Sequence, residues 1–312
     1  MNISKELKKR FVRDFSIPIR IFDDPYFLKR IELFDTEFDT IKKWDMFVKT
    51  LDRYSTEEEF FADYNRVKDE AIAFIQNSEG FKRFNSMDMS EFVIPKEFQQ
   101  LPSKDVFKEN NIGKEFISFD MKKANFNALR KFDLTIFDYA PTWEDFLHKF
   151  TDVEYIINSK YIREVIFGNC NPKRITTYEK YLMSKFLTMC NFQIPDIKFY
   201  SNDEVVVSGY FWFLDIMDSY TDRVNLFSNM YVPIRTERFV LAPVMQDGKI
   251  IGYNRKVFVT DTKTKNDFKC IDAKMYPFVL RALKGEPITD DDLVFDFEGS
   301  LAKYLAAPNI TL

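Results

Sequence analysis

Glycine and proline are scarce, 8 and 12 in 312 residues. That scarcity excludes collagen-like, repeat-built and low-complexity chains. There is one histidine, His148, and no serine or cysteine motif accompanies it, so a Ser-His or Cys-His nucleophile system is not expected. The three cysteines, Cys170, Cys190 and Cys270, are widely separated and lack zinc spacing. They read as free thiols of a reducing compartment. No Gly-x-x-x-x-Gly-Lys-Ser/Thr loop and no Gly-x-Gly-x-x-Gly fingerprint occurs, which argues against a P-loop ATPase and a dinucleotide-binding enzyme. No apolar run approaches the ~20 residues of a membrane span. The first residues alternate charged and apolar side chains and do not resemble a secretory signal. A soluble, intracellular, cytoplasmic protein that makes no membrane contact is the expectation.

Neither sign of charge dominates: 45 basic against 49 acidic residues leave a net charge of −4. A strongly basic nucleic-acid binder would differ. What is abundant is apolar side chain, 46% of the chain, with 35 phenylalanines. A sizeable core follows. The Phe, Lys, Asn and Ile richness fits an AT-rich genome, viral or phage, in which case the protein could be virion-associated.

The pattern along the chain predicts an α+β protein. Residues 1–100 read mainly as helices. Ser55-Thr56 ahead of Glu57-Glu58-Glu59 is a helix start. Phe60, Phe61, Tyr64, Val67, Ala71 and Ile75 then recur at helical spacing, as do Phe38, Ile41, Trp44, Phe47 and Val48. These aromatic stripes read as core rather than base-stacking platforms. Pro95 and Pro102 flank a connector. A central region, 101–235, is expected to hold an antiparallel sheet with packed helices. Thr176 with Glu179 fits a capping box opening a helix. In the last region, 236–312, Asp247-Gly248 between alternating apolar runs signals a hairpin. Residues 273–305 are expected to return to helix, with Asp290-Asp291-Asp292 as a turn or N-cap.

Two segments carry the chemistry. Glu115 to Phe126 places Asp120 where a strand turns into a helix. Ile197 to Val207 reads as a hairpin with Asp203-Glu204 at its tip. Acids beside apolar strands are costly unless paired or bound to metal. Asn-Asp is also ordinary turn chemistry, so each segment alone has a structural explanation. Between them, Lys160 to Lys185 is locally basic, through Arg163, Lys173 and Arg174 among others, as a phosphate-facing surface or a solvated face would be.

In their order these segments resemble the palm of a nucleic-acid polymerase. Asp120-Met121-Lys122-Lys123-Ala124 resembles motif A, and Asn202-Asp203-Glu204 followed by three valines resembles motif C. The likeness is to family A DNA polymerases and to reverse transcriptases. Arg163 is followed after four residues by Phe167, where the family A series has lysine. The resemblance implies a palm-like antiparallel sheet, preceded by a helical accessory or fingers-like region. It implies Mg²⁺ or Mn²⁺ held by Asp120 and Asp203, with Glu204 assisting catalysis. Nucleotide contacts would come from Asn125 or Phe126, near the sugar, and from Arg163, Lys173 or Arg174, on the triphosphate. Nucleic acid, nucleoside triphosphates and replication or transcription proteins would be its partners. The alternatives are a non-catalytic viral or phage replication or scaffold protein and a metal-dependent nuclease.

Overall fold

The computed structural model describes residues 3–208, 214–260 and 262–312. The N-terminal third is helical: α1 (Lys5–Asp14), α2 (Tyr26–Phe38), α3 (Thr40–Leu51), α4 (Glu57–Asn77), α5 (Glu79–Ser86) and the single turn α6 (Lys96–Gln99). The expected start of α4 is present. Thr56 is its N-cap, its Oγ1 accepting from the Glu59 N–H at 3.2 Å, while the Glu59 carboxylate accepts from the Ser55 N–H at 2.7 Å. Removing this cap with Thr56→Ala should cost about 1 kcal/mol, read as a lower midpoint in urea. The predicted aromatic stripe is core: Phe60, Tyr64, Val67, Ala71 and Ile75 are all buried. Ile41 departs from the pattern and is 43% exposed.

The main sheet is antiparallel throughout. Its strands are β1 (Glu115–Met121), β2 (Ile197–Tyr200), β3 (Glu204–Ser208), β4 (Ile234–Gln246), β5 (Lys249–Phe258) and β6 (Thr264–Lys269), in the order β2-β3-β1-β4-β5-β6. Between β1 and β2 run α7 (Ala124–Phe132), α8 (Trp143–Leu147), α9 (Glu154–Ile157), α10 (Lys160–Gly168) and α11 (Pro172–Cys190); α12 (Leu214–Met230) precedes β4. The β1-helices-β2-β3-helix-β4 path with spatial order β2-β3-β1-β4 is the split β-α-β arrangement. The Asp247-Gly248 hairpin forms as expected, both residues having positive φ (48° and 80°), which a tight turn between twisted strands requires.

Alternation along β1 gives the sheet two unlike faces. Ile117, Phe119 and Met121 join Val205 and Val207 in a core shared with the helices, which runs from Leu7 to Leu280. The opposite face carries a small apolar cluster, built on Phe116, Val206, Phe239, Leu241 and Val257 with Val106. The polar residues of β1, Ser118 and Asp120, belong to that second face by register.

Two sequence expectations are corrected. Residues 273–305 are not one helical stretch. After α13 (Tyr276–Lys284), Gly285 takes the left-handed conformation (φ 65°) that ends a helix, and a separate hairpin follows, β7 (Val294–Phe297) with β8 (Ser300–Lys303). Glu298 and Gly299, both at positive φ, make its turn. Nor does a capping box open α11. The helix begins earlier, with Pro172 in its first turn, and Glu179 lies mid-helix and buried. The last strand, β9 (Ile310–Thr311), pairs with the end of β4.

Candidate functional site

Asp120, next to the last residue of β1, lies between two partners directly across the ladder, Glu204 on β3 and Arg235 on β4. Residues opposite one another share a face, so the three side chains form a row. Arg235 Nη2 lies 2.8 Å from Asp120 Oδ2. Ser118, two residues back on the same face, donates its hydroxyl to Glu204 Oε1 at 2.5 Å. The tip of the β2–β3 hairpin is closed by the Ser201 N–H on the Glu204 carbonyl, 2.9 Å. Asp203 sits in that tip. Its carbonyl accepts from the Met121 N–H at 2.8 Å, and its carboxylate accepts from the Ser201 hydroxyl at 3.0 Å. The hairpin is thereby docked on the end of β1, and Asp120, Asp203 and Glu204 come into one electrostatic neighbourhood.

A fourth carboxyl supports them from the helical side. Glu179 of α11 accepts from Asn125, in the first turn of α7, and from Asn202, in the hairpin tip, both at 2.5 Å. This one side chain ties α7, α11 and the hairpin together.

Burial sets the proton affinities here. It pushes Asp120 up to about 6, against the opposing Arg235, with the negative charges of Glu204 and Asp203 adding to the rise. It pushes Glu179 up to about 7, against the hydrogen bond from Asn202, with Asp203 adding. A carboxyl whose folded value lies above its unfolded one favours the folded state when protonated. Its stabilisation is therefore present at low pH and is lost as the pH rises from 4.5 to about 7. For Glu179 the full loss is about 3 kcal/mol. Glu179→Gln should flatten the fall in melting temperature between pH 5 and pH 8. An unchanged slope would show that another group is responsible.

The remaining sequence candidates are placed as follows. Asn125 faces the hairpin through Glu179, whereas the ring of its neighbour Phe126 is buried against Phe137, centroids 4.5 Å apart. Arg174 gives its guanidinium to the backbone carbonyls of Phe84 (3.0 Å) and Met87 and covers the Phe84 ring, so it anchors α11 to the end of α5. Arg163, on α10, is half-buried, and burial lowers its proton affinity. Lys173 is exposed in the first turn of α11. Among the described residues no hydrogen bond or ion pair joins Arg163, Lys173 or Arg174 to the acids.

Ser118, Glu179 and Arg235 went unidentified in the sequence. The alternation Arg235-x-Glu237 at the start of β4 was a usable signal for Arg235. Glu179 had none, because its spacing from Thr176 imitated a cap.

Among the described residues no group of three or more His, Cys, Asp or Glu side chains is arranged to hold a metal ion. No helix among them is long and apolar enough to cross a membrane. The chain matches no protein-family model, no curated protein and no solved structure.

Proposed function

We propose that the chain is a palm-type nucleotidyltransferase, extending a nucleic-acid 3′ end with nucleoside triphosphates. One observation carries this reading. The strand acid Asp120 and the hairpin acid Glu204 stand opposite each other across the ladder, with Asp203 beside them in the hairpin tip. Fold alone does not establish chemistry; the reading rests on these acids.

The donor set suits Mg²⁺ or Mn²⁺, because all three side chains offer hard carboxylate oxygens. Mg²⁺ commonly takes only one or two protein carboxylates and fills its shell with water and phosphate oxygens. A centre without three converging ligands is compatible with that habit. Asp120 and Asp203 would hold the cation, and Glu204 would orient the site through Ser118. Bound there, the cation would supply Lewis-acid stabilisation of charge on the phosphoryl oxygens. In the transfer, the 3′ oxygen bonds to the α-phosphorus, the hydroxyl proton leaves to solvent and pyrophosphate departs. Asn125 and Asn202, fixed by Glu179, hold the hairpin still against α7 while this occurs. The reading implies an intracellular protein working with replication or transcription partners.

The Arg235–Asp120 pair favours a second reading. An aspartate already neutralised by arginine needs no metal, as in a non-catalytic replication or scaffold protein. Incubation with a labelled primer-template, nucleoside triphosphates and Mg²⁺ or Mn²⁺ separates these readings. Extension is the expected result. Shortening of the primer would instead identify a nuclease, and a primer unchanged by divalent ions would favour the non-catalytic role.

A further inference from the structure

Arg235 belongs to two places at once. Besides pairing with Asp120, it lines a cleft of about 580 Å³ between the N-terminal helices and β4–β6, a volume typical of small-ligand sites. We propose that this cleft binds the polyphosphate chain of a nucleoside triphosphate, and that Arg235 leaves Asp120 to hold it. This rests on the nucleotidyltransferase reading above and names where its substrate's phosphates sit.

The charges of the sheet wall form a chain. Arg235 stands 3.7 Å from Glu237, Glu237 is 3.3 Å from Arg255, Arg255 is 3.2 Å from Asp267, and Asp267 is 3.0 Å from Lys269. Both acids of that wall are thus already matched by cations. Two lysines remain, one on each side of the cleft. Lys265 on β6 is exposed; among the described residues its side chain makes no hydrogen bond or close ion pair, and its charge acts on Glu37 across the cleft. Lys43 on α3 gives its ammonium to the Phe38 carbonyl. The two ammonium charges are close enough that Lys265 adds to the burial that depresses the proton affinity of Lys43, with Asp39 and Asp35 opposing. Facing cations of this kind are relieved by an anion. The helical wall also brings Glu37 and Asp39. Burial raises the proton affinity of Glu37, against the Asn266 hydrogen bond and the charges of Lys265 and Lys284.

Two arginines border the cleft. Arg255 is almost fully buried, and among the described residues its Nε–H has no acceptor, a costly state that a ligand moving in over it would relieve. Arg235 is 54% exposed, held at the surface by Asp120 and Glu237. Its transfer to phosphate would uncover Asp120 for a cation, so polyphosphate and cation would each strengthen the other's binding.

The test measures binding of inorganic tripolyphosphate, and then of a nucleoside triphosphate, to the full chain by calorimetry, with melting curves confirming that every variant folds. Lys265→Glu should weaken both by about tenfold or more, and Lys43→Gln should act in the same direction. Tripolyphosphate should tighten Mn²⁺ binding, followed by electron paramagnetic resonance, in the wild type and not in Arg235→Gln. Unchanged affinity in Lys265→Glu would overturn the site, as would binding of an oligonucleotide there in place of both phosphate probes. Primer extension with an unaltered nucleotide KM in Lys265→Glu would overturn the site and leave the polymerase reading intact. Lys265-dependent binding of both probes without extension would do the reverse.

Discussion

Asp203→Asn should lower metal-dependent nucleotide addition by about 10²–10³-fold or more, without lowering the melting temperature. The separation of the two effects follows from how Asp203 is built in. Its structural contribution is made by its backbone, whose carbonyl accepts the Met121 N–H. Among the described residues its carboxylate accepts only the Ser201 hydroxyl, at 3.0 Å, and an asparagine oxygen accepts equally well. What asparagine lacks is the charge. Single-turnover extension at saturating nucleotide is the measurement, because it reads the chemical step apart from product release. Full activity in Asp203→Asn would reject the assignment of this residue as a metal ligand. The same centre should also answer to pH. Asp120 keeps its proton up to about 6 in the free protein, and a carboxylate must lose that proton to bind a cation. Apparent Mn²⁺ affinity should therefore weaken as the pH drops below about 6, a dependence that equilibrium binding follows without any turnover.

The largest loss of stability is expected from Asp292→Ala, about 3–5 kcal/mol. Asp292 is buried between two arginines. Arg30 Nη1 lies 2.8 Å from Oδ1, Arg281 Nε lies 2.9 Å from Oδ2, and the Thr289 N–H and hydroxyl donate to Oδ2, each at 2.9 Å. Arg30 also spans the carbonyls of Asp291, Asp292 and Val294. Burial alone would raise the proton affinity of Asp292, but the Thr289 and Arg281 hydrogen bonds and the Arg30 charge outweigh it and hold it below 3.8. Its contribution is therefore full above that value and is lost on acidification below it. Truncation leaves the buried Arg30 guanidinium without its counter-charge, which costs more than the pair itself contributes. The double variant Arg30→Met with Asp292→Leu should recover much of the loss. Urea midpoints for the two single variants and the double one check this. An additive double variant would show that the two residues act independently.

Local patterns carried much of the fold. Thr56 followed by three glutamates has a single local reading, and so does Asp247-Gly248 between alternating strands; both features form as read. The helix expected over 273–305 failed because its apolar residues, Val294 and Phe295 among them, suit either period. Gly285 decided the matter by conformation rather than by pattern. Asp120, Asp203 and Glu204 were visible as acids beside apolar strands, and β1–β3 pairing brings two of them into register. Glu179 could not be read the same way. Its role comes from Asn125 and Asn202, 54 and 23 residues distant, and no local spacing encodes such a meeting. Arg174 illustrates the converse. It looked like a phosphate ligand because it is basic and near a turn, yet its nearest acceptors are backbone carbonyls of a helix end far away in the chain.

The cleft beside Asp120 has walls drawn from opposite ends of the chain, Ser16 to Lys43 on one side and Arg235 to Tyr276 on the other. During synthesis the carboxylate hairpin emerges well before the second wall does. Since domains consolidate as the chain is released, a ribosome-bound intermediate would carry the acids of the site but no enclosed cleft beside them. Any chemistry that needs both is withheld until the last strands have joined the sheet.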